Sequence, residues 1–216
     1  MVDNFELINP LFYFNKANNM FFHCQIVQRA KNHKNNDIKV REGAIKTYYI
    51  RSREQLDALK EEIVILCEHY GARAYINVAG KDFNKLQSLM LVKLAAAIHE
   101  GNVQNPMRQL NSAAGALVSR SPRWIVDIDD VSIKDDIIET LCYLYSEALS
   151  MKDNKFTIDY IKEFINEYIV AEIPTKSGLH LIVKPFNLKK FHNKFPTVDI
   201  HKNSMGTMLY SPKSID

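Results

Sequence analysis

The chain is short of the residues that mark several whole classes of protein. Its three cysteines, Cys24, Cys67 and Cys142, are too few and too far apart for a disulfide framework, and no CxxC pair offers the spacing of a zinc site. A reducing compartment, the cytoplasm, is the expected setting. Glycine and proline number only seven each, which excludes collagen-like and low-complexity chains. No apolar run approaches the roughly 20 residues that a membrane-spanning helix needs, so no membrane partner is expected. The opening "MVDNFELINPLFYF" lacks the basic start and long apolar stretch of a secretory signal. Neither sign of charge dominates: 28 Lys/Arg stand against 25 Asp/Glu, a formal net charge of +3.

What is present suits a folded chain. At 216 residues and 46% hydrophobic, there is enough apolar surface for one large domain or two small ones. The charge is unevenly spread. Residues 1–53 carry nine Lys/Arg against four Asp/Glu, residues 171–216 carry seven against three, and residues 54–170 carry twelve against eighteen. Basic ends flank an acidic centre. Brought together, such ends form a surface for phosphates beside a set of carboxylates, although solvated faces produce the same counts.

Periodicity predicts alternating strands and helices, with no internal repeat. "MFFHCQIVQRA" and "AIKTYYIRS" read as strands on either side of a polar loop over 31–43. Leu56, Leu59, Ile63, Leu66 and Cys67 form one helical stripe, with Ser52 as N-cap and Gly71 as terminator. "ARAYINVAG" reads as a strand, "KDFNKLQSLMLVKLAAAIHEG" as a helix, and 102–123 as polar and irregular. "RWIVDID" is an apolar strand. Helices follow over "SIKDDIIETLCYLYSEALSM" and "TIDYIKEFINEYI", then strands "VAEIPT" and "LHLIVK". A short helix over 187–194 and strands near 198–201 and 207–211 complete the chain. The expected class is α+β or α/β, one mixed sheet system with helices packed outside.

Within "WIVDIDD", Asp127 and Asp129 fall on one face of the strand, roughly 7 Å apart, while Trp124, Val126 and Ile128 face a core. Two carboxylates so placed repel each other unless a divalent cation such as Mg²⁺ or Mn²⁺ lies between them. Asp130, on the opposite phase, is a candidate cap for the next helix. Asp199 in "TVDIH" shares a phase with His201, opposite Val198 and Ile200. In "TKSGLHLIVK", Gly178 permits close backbone approach, and His180 shares a face with Ile182 and Lys184. Lys176, Ser177, His180 and the turn's backbone N–H groups are the donors a triphosphate needs.

Paired acids, then Ser-Gly-x-His, then a third acid, each at a strand end and in that order, resemble the archaeo-eukaryotic primase superfamily. The likeness is closest to the polymerase domain of bacterial end-joining ligase (ligase D), and it spans roughly residues 121–212. The resemblance implies a primase-polymerase fold over residues 1–216, with an N-terminal part to about 120 and an RRM-like catalytic half over about 121–216. It implies two Mg²⁺ or Mn²⁺ ions on Asp127, Asp129 and Asp199. Lys176, Ser177, Gly178 and His180 would hold the incoming nucleotide, with Lys202 or Asn203 on its phosphate or sugar. The implied activity is DNA primase or polymerase nucleotidyl transfer in replication or repair, as in standalone members carried by mobile elements. Its partners would be nucleoside triphosphates and DNA template or primer, with separate helicase or replication subunits.

The sequence departs from that family in two places. The turn after the last acid carries Lys202 where an arginine is usual, and the zinc-binding cysteines of some primases are missing. The chain also stops soon after the third motif, so it is expected to act with separate subunits or to be a fragment. Two other readings stand beside nucleotidyl transfer: a primase-like binder of nucleic acid or nucleotide that has lost catalysis, and a metal-dependent nuclease. Arg51, Arg53, Arg73 and Lys81 are candidates for template contact by charge alone.

Overall fold

The computed structural model describes residues 1–14, 19–28, 43–102, 105–119, 121–148, 167–202 and 206–213. The predicted loop over 31–43 therefore lies almost wholly outside the described residues. So do Asn203 and most of the helix predicted over "TIDYIKEFINEYI". The chain is α+β and divides into two compact units, one built from residues 3–122 and 203–216, the other from 123–202.

In the first unit, strands β1 (Val2–Asp3), β2 (Met20–Gln28), β3 (Gly43–Ile50), β4 (Arg73–Ile76) and β10 (Thr207–Ser211) run in the order β1-β10-β4-β2-β3. A short β5 (Lys81–Asp82) adds to β2. Helix α1 (Phe5–Ile8) and a 3₁₀ turn follow β1. Alternation along β2 sends Phe22, Cys24 and Ile26 to one face, all buried. Helix α2 (Arg53–Tyr70) buries Leu56, Ile63 and Cys67. It starts where predicted, with Ser52 Oγ accepting from the Gln55 N–H at 3.1 Å, and ends at left-handed Gly71 (φ 56°). Burial pushes the Cys67 thiol up to about 12, and Cys24 is likewise a core residue rather than a reactive thiol.

Phe21, on the other face of β2, packs with Leu86 of α3 (Phe83–His99) and with Ala113 and Ala114 of α4 (Pro106–Ala116). Helix α4 replaces the irregular stretch predicted over 102–123. Its Asn111, Ser112 and Gly115 are poor helix formers, but Asn105 caps it, Pro106 starts it, and burial of two alanines against Phe21 holds it. The strand predicted over "ARAYINVAG" ends early, at Ile76, because the Asn77 side chain turns back to accept from the Ala79 N–H at 2.8 Å.

In the second unit the order along the chain is β6 (Trp124–Ile128), α5 (Lys134–Ala148), β7 (Ile169–Pro174), β8 (Leu179–Val183), α6 (Leu188–Lys194) and β9 (Asp199–His201). The strands lie in the order β7-β8-β6-β9. Trp124, Val126, Ile128, Leu181 and Val183 send their side chains to one face, where Ile137, Leu141, Tyr145 and Phe191 from α5 and α6 close the core. Asp130 caps the turn that leads into α5, accepting from the Ser132 N–H at 2.9 Å. Among the described residues the expected single mixed sheet is instead two sheets, and every pairing with a defined register is antiparallel. The tight β7–β8 connection enforces that sense for its own pair.

Candidate functional site

The chemistry-bearing residues of the second unit follow from strand register. Asp127 on β6 lies directly opposite His180 on β8, and on its other side directly opposite Asp199 on β9. Residues opposite one another in a sheet point to the same face, so His180, Asp127 and Asp199 form a row across three strands. That face is the one turned away from the apolar core of α5 and α6. Neighbouring Cα atoms in such a row are about 4.5–5.5 Å apart, close enough for side chains to interact in pairs.

Asp127 is the centre of the row. His180 Nε2 lies 3.4 Å from its Oδ1, and His201 Nε2 lies 3.7 Å from its Oδ2. Each carboxylate oxygen therefore faces one imidazole. The hydrogen bond with His180 is the main cause that holds the Asp127 carboxyl below its ordinary range. Partial burial works against it, and the charges of His180 and His201 add to it. Asp127 is thus held ionised, with 29% of its side chain exposed, while His180 is buried. His201 shares the phase of Asp199 in the sequence, but only the pairing of β6 with β9 assigns it a partner.

The remaining expected residues fall in several places. Asp129 lies just beyond the end of β6 and is exposed. Thr175 and Gly178 close the β7–β8 hairpin: the Thr175 N–H donates to the Gly178 carbonyl at 2.9 Å, and the Gly178 N–H donates to Thr175 Oγ1 at 3.0 Å. Lys176 and Ser177 sit exposed at its tip. What Gly178 approaches is protein backbone. A Cβ there would stand 2.0 Å from the Ile128 carbonyl oxygen and 2.9 Å from the Asp129 Cα. The glycine is needed for that approach rather than for its φ, since it is not among the positive-φ residues. It sets the hairpin turn against the backbone of the paired acids.

Lys202 departs from its expected place. Its Nζ lies 5.0 Å from the centroid of the Trp124 ring, and Trp124 packs against the core on the face opposite Asp127. The alternation Ile200, Lys202 against Asp199, His201 explains this. Lys81, a template candidate by charge, is also displaced. It is buried, and its Nζ donates to the Ala114 carbonyl at 2.7 Å as a strut between β5 and α4. Arg73 lies on β4, and Arg51 and Arg53 flank the start of α2.

Among the described residues no set of three His, Cys, Asp or Glu side chains stands at metal-binding separation. The expected convergence of Asp127, Asp129 and Asp199 is therefore not seen: Asp127 is turned to its histidines, and Asp129 lies past the strand. The donor types still fit a hard divalent cation, because Asp127 and Asp199 are adjacent across the strands and imidazole is a further ligand class. No helix among the described residues is long and apolar enough to cross a membrane. No protein-family model, no curated protein and no solved structure matches this chain.

Proposed function

We propose that the chain is a primase-polymerase-type nucleotidyltransferase that adds nucleotides from nucleoside triphosphates to a 3′-hydroxyl on a DNA template, in replication or repair. The observation that carries this reading is the register of the second sheet. It brings Asp127, His180 and Asp199, from three separate motifs, into one row. The βαββαβ succession with strand order β7-β8-β6-β9 gives further support, because an RRM-like catalytic half has that arrangement.

In this reading Asp127 and Asp199, with Asp129 beside them, hold Mg²⁺ or Mn²⁺. Cations bound there would activate the attacking hydroxyl and neutralise charge on the departing pyrophosphate. His180 keeps Asp127 ionised and oriented, with His201 on its second oxygen. Ser177 and Lys176, at the exposed hairpin tip, are the donors for the triphosphate, and Gly178 sets that tip against the acids.

One feature favours a second reading. The two histidines on Asp127 could assist water attack, as in a metal-dependent nuclease. Incubation with Mn²⁺ or Mg²⁺, labelled nucleotides and primed or unprimed single-stranded DNA separates the readings. The proposal predicts product strands that are lost in Asp127→Asn. Degraded template lost in the same variant supports the nuclease instead. Nucleotide binding with neither product indicates a binding protein and overturns both.

A further inference from the structure

The first unit contains a cavity of about 790 Å³ at the start of α2. That size lies within the range of about 300–1,000 Å³ typical of small-molecule pockets. Its wall includes Tyr13, Phe14, Arg51, Arg53 and Glu54, and two observations give it a chemistry.

The first concerns the guanidinium groups. Elsewhere in the same unit, Lys46 pairs with Glu62, and Lys60 lies near Asp3 and Glu6. Among the described residues, no carboxylate pairs with either Arg51 or Arg53. Both are nevertheless anchored. Arg51 Nη2 donates to Asn19 Oδ1 at 2.6 Å, and its guanidinium carbon lies 4.1 Å from the centroid of the Phe83 ring. Arg53 Nη2 donates to the Phe12 carbonyl at 3.2 Å. A guanidinium has five N–H donors, so each fork keeps donors for an anion.

The second concerns the aromatic rim. Phe14 packs edge-on to Phe22, with ring centroids 5.1 Å apart, whereas Tyr13 leaves 69% of its surface in water. A water-exposed ring beside anchored, unneutralised guanidiniums is the pairing that recognises a nucleotide, by base stacking and by forked hydrogen bonds to phosphate. Glu54 on the same wall disfavours a bare inorganic anion.

We propose that this cavity takes one nucleotide unit, with its base on Tyr13 and its phosphate between Arg51 and Arg53. The unit belongs either to a single strand of nucleic acid or to a free mononucleotide. The proposal is independent of the chemistry assigned to Asp127.

Fluorescence anisotropy with a labelled DNA strand of about twelve nucleotides, and competition with dAMP, test it. Both are measured without divalent cation, so that the Asp127 row contributes nothing. Tyr13→Ala is expected to raise the dissociation constant by about tenfold. Arg51→Gln with Arg53→Gln removes one phosphate contact and is expected to reduce the slope of log affinity against log salt by about 0.7. If dAMP displaces the strand and its own binding falls in the same variants, the source is a free nucleotide. If only the strand responds, the source is nucleic acid. Unchanged affinity and salt slope for both probes in all variants, or no binding by the wild type, overturns the proposal. Should the double arginine variant fail to fold, Tyr13→Ala still decides, because that ring is exposed. Photocrosslinking of a 4-thiothymidine strand is a second measurement: crosslinks in the Tyr13 peptide support the proposal, and crosslinks confined to other peptides contradict it.

Discussion

Each unit sets a histidine on a strand inside its sheet, and the two histidines stand in opposite electrostatic surroundings. His180 on β8 faces the Asp127 carboxylate, which it holds ionised. His23 on β2 lies near the buried Lys81 ammonium, its Nε2 is buried without a hydrogen-bond partner, and its ring packs 5.4 Å from that of Tyr49. Burial, with a smaller contribution from Lys81, lowers the His23 pKa from 6.5 to about 4. A histidine with a carboxylate opposite it can serve a reaction, whereas one beside an ammonium must stay neutral and serves packing. The difference is why the proposed chemistry is placed on the Asp127 row, and why His23 and Lys81 are read as parts of the architecture of the first unit.

The strongest way to break that contrast is to remove the charge at the centre of the row. Asp127→Asn is expected to lower nucleotide incorporation by about 10²–10³-fold, the loss typical when one preorganised charge-stabilising group is removed. In the same assay His23→Phe should retain wild-type rates. His23 and Asp127 can next be separated by pH. Protonation of His23 is favoured in the unfolded chain, so its contribution to stability is complete above pH 6.5 and is lost as pH falls from 6.5 to about 4. That loss is worth up to about 3 kcal/mol. Asp127 behaves as a depressed carboxylate: its contribution is present above the ordinary carboxylate pKa and is lost only as pH falls through its lowered folded value. Denaturant titrations of His23→Phe and wild type between pH 7 and pH 4 should therefore diverge, with the wild type losing stability faster.

A smaller effect is expected at the turn beside the acids. Gly178→Ala forces a Cβ against the Ile128 carbonyl, and the overpacking should cost about 2–3 kcal/mol in a urea titration. Incorporation should fall as well, because the hairpin tip must move. Smallest of all is Lys202→Gln. The side chain lies on the Trp124 face, so incorporation should stay within about twofold of wild type, with at most about 0.5–1 kcal/mol of stability lost with the cation–π contact.

How much of this was legible in the sequence depended on the range over which each feature is decided. Local features read well. Period-two alternation placed Asp127 and His180 on the strand faces opposite Val126, Ile128, Leu181 and Val183, Ser52 and Gly71 bounded α2, and Asp130 capped the entry to α5. Features set by partners at long range did not. Nothing in "WIVDID" says that the strand bearing the third aspartate, β9, is its neighbour, or that His201 reaches the second oxygen of Asp127, because antiparallel register is fixed by packing between strands far apart in sequence. Helix α4 depends on burial of Ala113 and Ala114 rather than on its own propensity. Lys202 is a candidate phosphate contact only through the family resemblance, whereas the phase of the strand sends it to the Trp124 face. Lys81 resembled a template contact because a basic residue after a strand is usually exposed, and only the tertiary fold encloses it.

The most direct test of the central claim, that Asp127 and Asp199 form a divalent-cation site serving nucleoside triphosphates, is a Mn²⁺ titration followed by electron paramagnetic resonance, with and without nucleoside triphosphate. The wild type is expected to take up Mn²⁺, more tightly with the triphosphate present, and the Asp127→Asn/Asp199→Asn double variant is expected to lose that uptake while remaining folded. Equal uptake by the folded double variant, or none by the wild type, would contradict the account.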